Sequence, residues 1–402
     1  MDCRSTCGPR NDGLWGRGMS GSALSLHRPF KDRSFGLVRK FLRMNWLFVI
    51  CVCALAGVGY VALYSAAGGA TTPYANSQLI RFCTGLLMMF AIAMVDIRLI
   101  AKTSWFAYAV GIVLLVVVMK FGHTGLGAKR WISLGGVEIQ PSELMKLFLV
   151  LALAAYFHKA SYERIGNVFF LIPAIVAIMI PVGLILKEPN LGTAVITAAI
   201  GCTVMLGAGV RWWKFAIVIV MIAIAAPVLY HHLHDYQRAR IITFMNPGSD
   251  PLGAGYNIIQ SKIALGSGGW NGQGFLHGTQ NQLNFLPEKQ TDFVFTIIAE
   301  EFGFVGSAAT LVLLFSIVAI ALYTALRSEH QYGRLVALGI ATNFFLYCFV
   351  NLSMVMGLIP VGGVPLPLIS YGGSALTAVM LGFGVLMSVH VHRDAEFAVD
   401  EF

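Results

Sequence analysis

Ten apolar stretches constrain this chain more than any single motif. Most approach the roughly 20 residues needed to cross the hydrocarbon core of a bilayer. They lie at Asn45–Tyr64, Ser77–Asp96, Ser104–Lys120, Glu143–Phe157, Asn167–Leu186, Leu191–Gly209, Trp213–Tyr230, Phe302–Leu326, Leu335–Leu358 and Tyr371–His390. Only 12% of the 402 residues are charged and 57% are hydrophobic, whereas a soluble domain carries about 25% charged residues. The period-two alternation of a membrane barrel is missing from the sequence. In lipid every backbone group must be satisfied internally, so helices are the spanning elements. The expected fold is an all-α polytopic membrane protein of about ten transmembrane helices.

The net charge of +9 is unevenly spread. With the N-terminus on the cytoplasmic side, inner segments hold 18 of the 28 lysines and arginines. They include the run RPFKDRSFGLVRKFLR, Arg98 with Lys102, Arg211 with Lys214, and Arg327 with Arg334. Positive residues favour the cytoplasmic side, so both termini are expected inside. The excess is juxtamembrane, which suits anionic lipid headgroups and argues against nucleic acid. Residues 1–44 are rich in Gly, Ser and Arg without periodicity and read as a disordered basic cytoplasmic tail. Residues 45–391 form the transmembrane domain, and residues 392–402 a short cytoplasmic tail. The first apolar segment is too long for a signal peptide and lacks a convincing cleavage site. All seven cysteines fall in the tail or in apolar segments, without metal-ligand spacing or the pattern of a disulfide framework.

The unusual sequence sits in loops that this topology places on one outer face. They are GHTGLGAKRWISLGGVEIQPSE from Gly122, LKEPNLGTA from Leu186, a large periplasmic loop at residues 231–291 between the seventh and eighth helices, and GLIPVGGVPLPLISYGGSA from Gly357. Within the large loop, Tyr256, Ile259, Ile263 and Leu265 recur at helical spacing, so short amphipathic or re-entrant helices are expected there. A structureless loop of that length would be unusual unless functional. No pair of matched broken helices suggests an inverted-repeat transporter.

Several polar residues stand where an apolar helix should exclude them. Asp292 lies on the seam between PEKQTD and FVFTII. One reading makes Thr291 or Asp292 the helix cap; another makes Asp292 a base at the membrane surface, meeting a reactant from the lipid. Glu300 follows eight residues later, about 12 Å along the axis if the helix is continuous. Glu301 comes next, and Gly303 and Gly306 then make a break plausible. Glu143 and Lys146, three apart, share a helix face. Such a pair is either a structural salt bridge or part of an interior functional site. Arg130 and Trp131 stand at the outer interface, where arginine suits bidentate contact with phosphate. Lys129, Lys187, Arg238, Arg240, Lys262 and Lys289 complete an outer basic set. No nucleotide loop, zinc motif, dinucleotide fingerprint or serine-hydrolase elbow occurs. The cluster HHLH at His231 to His234 has no spacing that argues for a metal.

Together, GAKRWISLGGVEIQPSELMKL, EPNLGTA, NPGSDPLGAGYNIIQSKIALGSGG, TQNQLNFLPEKQTDFVFTIIAEEFGFVG and GLIPVGGVPLPLISYGGSA resemble the SEDS family of membrane glycosyltransferases, in family order and over nearly everything after the tail. GYNIIQSKIALGSGG and GTQNQLNFLPEKQTDF are similar to its elongation branch more than to its division branch. The resemblance implies ten helices, the bacterial inner membrane and a periplasm-facing site. It implies lipid II as substrate for glycan strands, and as partners a class B penicillin-binding protein transpeptidase and the elongation machinery. It carries the essential acid onto Asp292 as general base. Arg130, Trp131, Glu143, Lys146, Lys289 and Glu300 become substrate-binding candidates, with Arg130 and Lys146 stabilising the leaving pyrophosphate. No metal ligand is assigned; a divalent cation such as magnesium or manganese could assist. Many relatives read QPDLGT where this chain reads EPNLGT, so Asn190 replaces an acid and Glu188 stands two residues upstream. A flippase for the lipid-linked precursor, a scaffold that recruits the transpeptidase, and a division-type polymerase are the alternatives.

Overall fold

The computed structural model describes residues 36–394, except 126–127, 135–136, 161, 189, 232–237, 239–241, 247–253, 284, 287–288 and 361. The elements are α1 (Leu37–Leu42), α2 (Trp46–Ala66), α3 (Ala75–Met94), α4 (Ile97–Phe121), β1 (His123–Gly125), β2 (Ala128–Leu134), β3 (Val137–Ile139), α5 (Pro141–His158), α6 (Tyr162–Ile165), α7 (Val168–Lys187), α8 (Leu191–Gly207), α9 (Trp212–His231), α10 (Ala254–Ser267), α11 (Thr279–Gln282), α12 (Val294–Arg327), α13 (Gln331–Val355) and α14 (Gly373–Val391). Among the described residues, eight helices are long and apolar enough to span a membrane: α2, α3, α4, α5, α7, α12, α13 and α14. α8 and α9 are also apolar, but their apolar stretches are shorter.

Two features depart from the all-helical expectation. The loop after α4 folds into a small antiparallel sheet of order β1-β2-β3. Its strands pair Ile132 with Ile139 and Leu134 with Val137. Branched residues in alternation favour such pairing over coil. The end of the segment read as tail forms the one-turn helix α1, and residues 1–35 lie outside the described set.

The bundle is organised around α5 and α14. About four-fifths of each is buried, against about a fifth of α3 and α4, which present broad faces to lipid. Pro141 opens α5 at its first turn, where the missing amide costs nothing. Asn45, Asp96, Asn167 and Asn190 cap α2, α4, α7 and α8 by accepting backbone amides.

α12 holds the decisive irregularity. Straight, its 34 residues would run about 51 Å, well beyond the roughly 30 Å core of a bilayer. Gly303 breaks it, with φ 64° and ψ −155°, into a half-helix Val294–Phe302 and a long helix from Phe304. The segment after α10 satisfies the backbone groups freed by the break. Gln273 and Gly274 donate amides to the carbonyls of Glu300 and Glu301 at 2.9 and 3.1 Å. Phe304 and Val305 donate to the carbonyls of Gly269 and Trp270 at 2.9 and 3.2 Å. Irregular backbone at membrane depth survives only with such partners. The segment after α10 therefore plugs a broken helix, and the expected short helix in the large loop, α10, is present.

Candidate active site

Asp292 lies in the turn that leads into the half-helix, and its neighbours fix it through the main chain. Asn351 on α13 donates from Nδ2 to the carbonyls of Asp292 and Val364, at 2.9 and 2.8 Å. Two residues before Asp292, the Gln290 carbonyl accepts the Tyr371 amide at 2.8 Å. The turn is clamped between α13 and the loop that leads to α14, and Asp292 stays half-buried. Gly363 of that loop takes φ 63°, a conformation glycine adopts freely, and a Cβ there would lie 3.7 Å from Asp292 Oδ2. The N-cap of α12 is Phe293, which makes no side-chain cap. Asn351 and Tyr371 hold the turn that carries this acid through its main chain. It precedes the helix, close to the positive end of the half-helix dipole.

Glu143 and Lys146 do pair. Lys146 Nζ lies 2.8 Å from Glu143 Oε1, with Lys146 only 1% exposed. Tyr347 of α13 completes the set: its hydroxyl donates to Glu143 Oε2 and accepts from Lys146. The ammonium also stands 4.2 Å from the Tyr347 ring centroid. A buried charge pair holds only when its remaining hydrogen-bonding positions are filled, and Tyr347 fills them. Tyr347 and Asn351 are four residues apart, about 6 Å along one face of α13. The same helix face thus locks the ion pair and, one turn away, the main chain of Asp292. Sequence reasoning missed both residues; their signal was a polar group recurring every fourth position within FLYCFVNLSM.

Glu300 and Glu301 end the half-helix and fasten the loop that returns to Asp292. Glu300 Oε1 accepts the Gln280 amide at 2.9 Å and the Thr279 hydroxyl at 3.2 Å, at the start of α11. Glu301 Oε1 accepts the Ser65 hydroxyl, and Asn281 Nδ2 at 3.2 Å. Lys289 donates to the Asn281 carbonyl at 2.7 Å. Burial lowers the Lys289 pKa from the usual lysine range, against the pull of Glu301. Asp292 and Glu300 therefore sit at opposite ends of the half-helix, one beside its start and the other near its break.

Arg130 and Trp131 are adjacent on β2 and half-buried. Arg130 Nε donates to the Glu188 carbonyl at 3.0 Å, which ties the sheet to the α7–α8 loop. Asn190 Oδ1 accepts the Thr193 amide at 3.3 Å, and as a cap an amide serves as well as a carboxylate. Lys187 and Lys262 are exposed and Arg238 is half-buried; Arg240, the Lys129 side chain and His232 to His234 lie outside the described residues. Among the described residues no three acids, histidines or cysteines are grouped so as to hold a metal ion.

Comparison with known proteins agrees with this architecture. The profile of the FtsW/RodA/SpoVE cell cycle proteins matches residues 45–395. The chain is 44% identical over 314 residues to peptidoglycan glycosyltransferase MrdB of Escherichia coli K12, covering 77% of this chain and 83% of that protein. It is 35% identical over 376 residues to the probable peptidoglycan glycosyltransferase FtsW of Trichlorobacter lovleyi, covering 90% and 95%. A solved chain from work on the structural coordination of polymerization and crosslinking by a peptidoglycan synthase complex superposes with a TM-score of 0.77 at 30% identity, covering 88% of this chain and 99% of that one. The chain belongs to the SEDS family of FtsW/RodA/SpoVE membrane proteins.

Proposed function

We propose that this protein is a peptidoglycan glycosyltransferase of cell elongation, polymerising lipid II into glycan strands at the outer face of the bacterial inner membrane. The observation that carries the reading is Asp292: a half-buried acid on a membrane seam, its main chain clamped by Asn351, in a chain of this family. Higher identity to MrdB than to FtsW supports the elongation branch over the division branch. Both termini are assigned to the cytoplasm from the distribution of lysine and arginine.

The chemistry follows from the residues present. Asp292 accepts the proton of the acceptor sugar hydroxyl. The oxygen then attacks the anomeric carbon of the donor, and the bond to the lipid pyrophosphate breaks with inversion. A base must reach the hydroxyl by a hydrogen bond, and the clamped turn holds it ready for a sugar whose lipid remains in the bilayer. The leaving pyrophosphate is assigned to Arg130, with Trp131 beside it at the interface. Lys146 is already committed to Glu143 and Tyr347, so this set is assigned to hold α5 on α13 beneath the reacting sugars. Lys289 and Glu300 support the loop that carries Asp292 and so act on substrate through it. A divalent cation carried with the pyrophosphate would neutralise part of its charge, and no step is routed through one.

The partner is assigned as a class B penicillin-binding protein, which would cross-link the strands made here; the similarity to a chain of a peptidoglycan synthase complex supports it. The test is direct. Purified with that partner and given lipid II, the protein should yield glycan polymer resolved on a gel. No polymer, with lipid II instead crossing the bilayer of reconstituted vesicles, would replace this reading with a flippase.

A further inference from the structure

The loop between α7 and α8 reads EPN, with Glu188 directly after α7 and Asn190 directly before α8. Asn190 is spent on capping α8. Glu188 is only 3% exposed, and among the described residues both of its carboxyl oxygens are buried without a hydrogen-bond partner. A carboxylate in that setting would be costly, because neither oxygen has the donor that a buried charge requires. Burial pushes the Glu188 carboxyl up to about 8, with Arg130 pulling weakly the other way.

The charged groups on the elements around it leave Arg130 as its electrostatic partner. β2 contributes Arg130, whose Nε is bonded to the Glu188 main-chain carbonyl at 3.0 Å and not to its carboxyl. On its own helix Lys187 is exposed, as is Lys120 at the end of α4. On α5, Glu143 and Lys146 are committed to each other. α8 brings Asn190, which does not titrate. The loop also adjoins the Asp292 clamp: a Cβ on Gly192 would lie 3.2 Å from the Gly362 carbonyl, next to the Gly363 that faces Asp292.

We propose that Glu188 is a positioning residue that works as a neutral acid: while neutral it leaves the Arg130 charge uncancelled by its own carboxyl, and on ionising it draws that guanidinium into an ion pair and weakens the grip on the leaving group. The proposal rests on the assignment of Arg130 to the lipid pyrophosphate. It makes residue 188 the origin of an alkaline limb in polymerisation.

The experiment measures kcat/KM for lipid II polymerisation by the complex with its penicillin-binding protein, from pH about 6.5 to about 9.5, for the native protein and Glu188→Gln. Each protein is normalised to its own value near pH 7. The native protein should lose activity through about pH 8, up to about tenfold per pH unit, and Glu188→Gln should lack that limb. The same limb in both proteins would overturn the proposal. A second readout does not depend on turnover. The infrared carbonyl stretch of a protonated carboxylic acid should vanish as the native protein passes through about pH 8, and that component should be missing from Glu188→Gln. A native spectrum with no such component would also overturn it. An Arg130→Gln variant that polymerises as fast as the native protein would sink the assignment of Arg130, and this proposal with it, while leaving the polymerase reading intact. No polymer from the native protein at any pH would sink the polymerase reading, and the infrared signal would still decide the charge state of Glu188.

Discussion

A carboxylate becomes a base only if something holds it at the right height without consuming it. Here Asn351 holds Asp292 through the main chain, at its carbonyl. Asn351→Ala would orphan two buried carbonyls, at a cost of about 1–3 kcal/mol. It would also loosen the clamped turn, and misplacement by about 1 Å can cost about 10²-fold in rate. Thermal unfolding in detergent and single-turnover polymerisation should therefore both respond, with kcat falling more than KM rises. The pair at Glu143 and Lys146 carries a different prediction. Removing one partner, as in Lys146→Met, should destabilise by about 3–5 kcal/mol because the other charge is left buried alone. The double variant Glu143→Gln with Lys146→Met should recover much of that loss in the same unfolding assay. The pairing itself was legible from a three-residue spacing. Its third member was not, because Tyr347 lies 204 residues from Glu143 and only tertiary packing joins them.

The half-helix turns local sequence into a site. Gly303 and Gly306 after two acids suggested a break, and the break is there. What the sequence did not disclose is how it is filled: the amides and carbonyls at the break pair with residues 269 to 274, an arrangement set by long-range docking and not by local propensity. Gly303→Ala tests the arrangement. A left-handed backbone costs an L-residue about 1–2 kcal/mol, and the new Cβ would meet the Gly272 nitrogen at 2.3 Å. A loss of roughly 2–4 kcal/mol is expected, visible as a lower unfolding midpoint and as faster proteolysis of the loop after α10. The small sheet around Arg130 was overlooked because short strands in a glycine-rich loop give a weak signal beside long apolar helices.

Across the whole molecule, hydropathy alone marked out the eight helices that, among the described residues, are long and apolar enough to span, because a bilayer permits few alternatives. The unfolded and folded states also differ in proton binding at the end where α13 begins. His330 is buried beside Ser328, and burial drives its pKa down to about 4, with Arg334, His158 and His392 adding to the fall. A histidine shifted down binds fewer protons folded than unfolded. Stability should therefore be full above pH about 6.5 and decline as pH falls toward about 4. The unfolding midpoint in detergent, followed over that window, should show this slope, and His330→Asn should flatten it. Asp292 stands at the opposite end of α13, in the turn that Asn351 clamps. The measurement that tests its role most directly is single-turnover polymerisation of lipid II by Asp292→Asn, folded and bound to its penicillin-binding protein, beside the native complex. Loss of polymer by about 10² or more, with lipid II binding retained, is the expected result for a general base. Polymer formed at the native rate would contradict the account, because the chemistry would then not pass through Asp292.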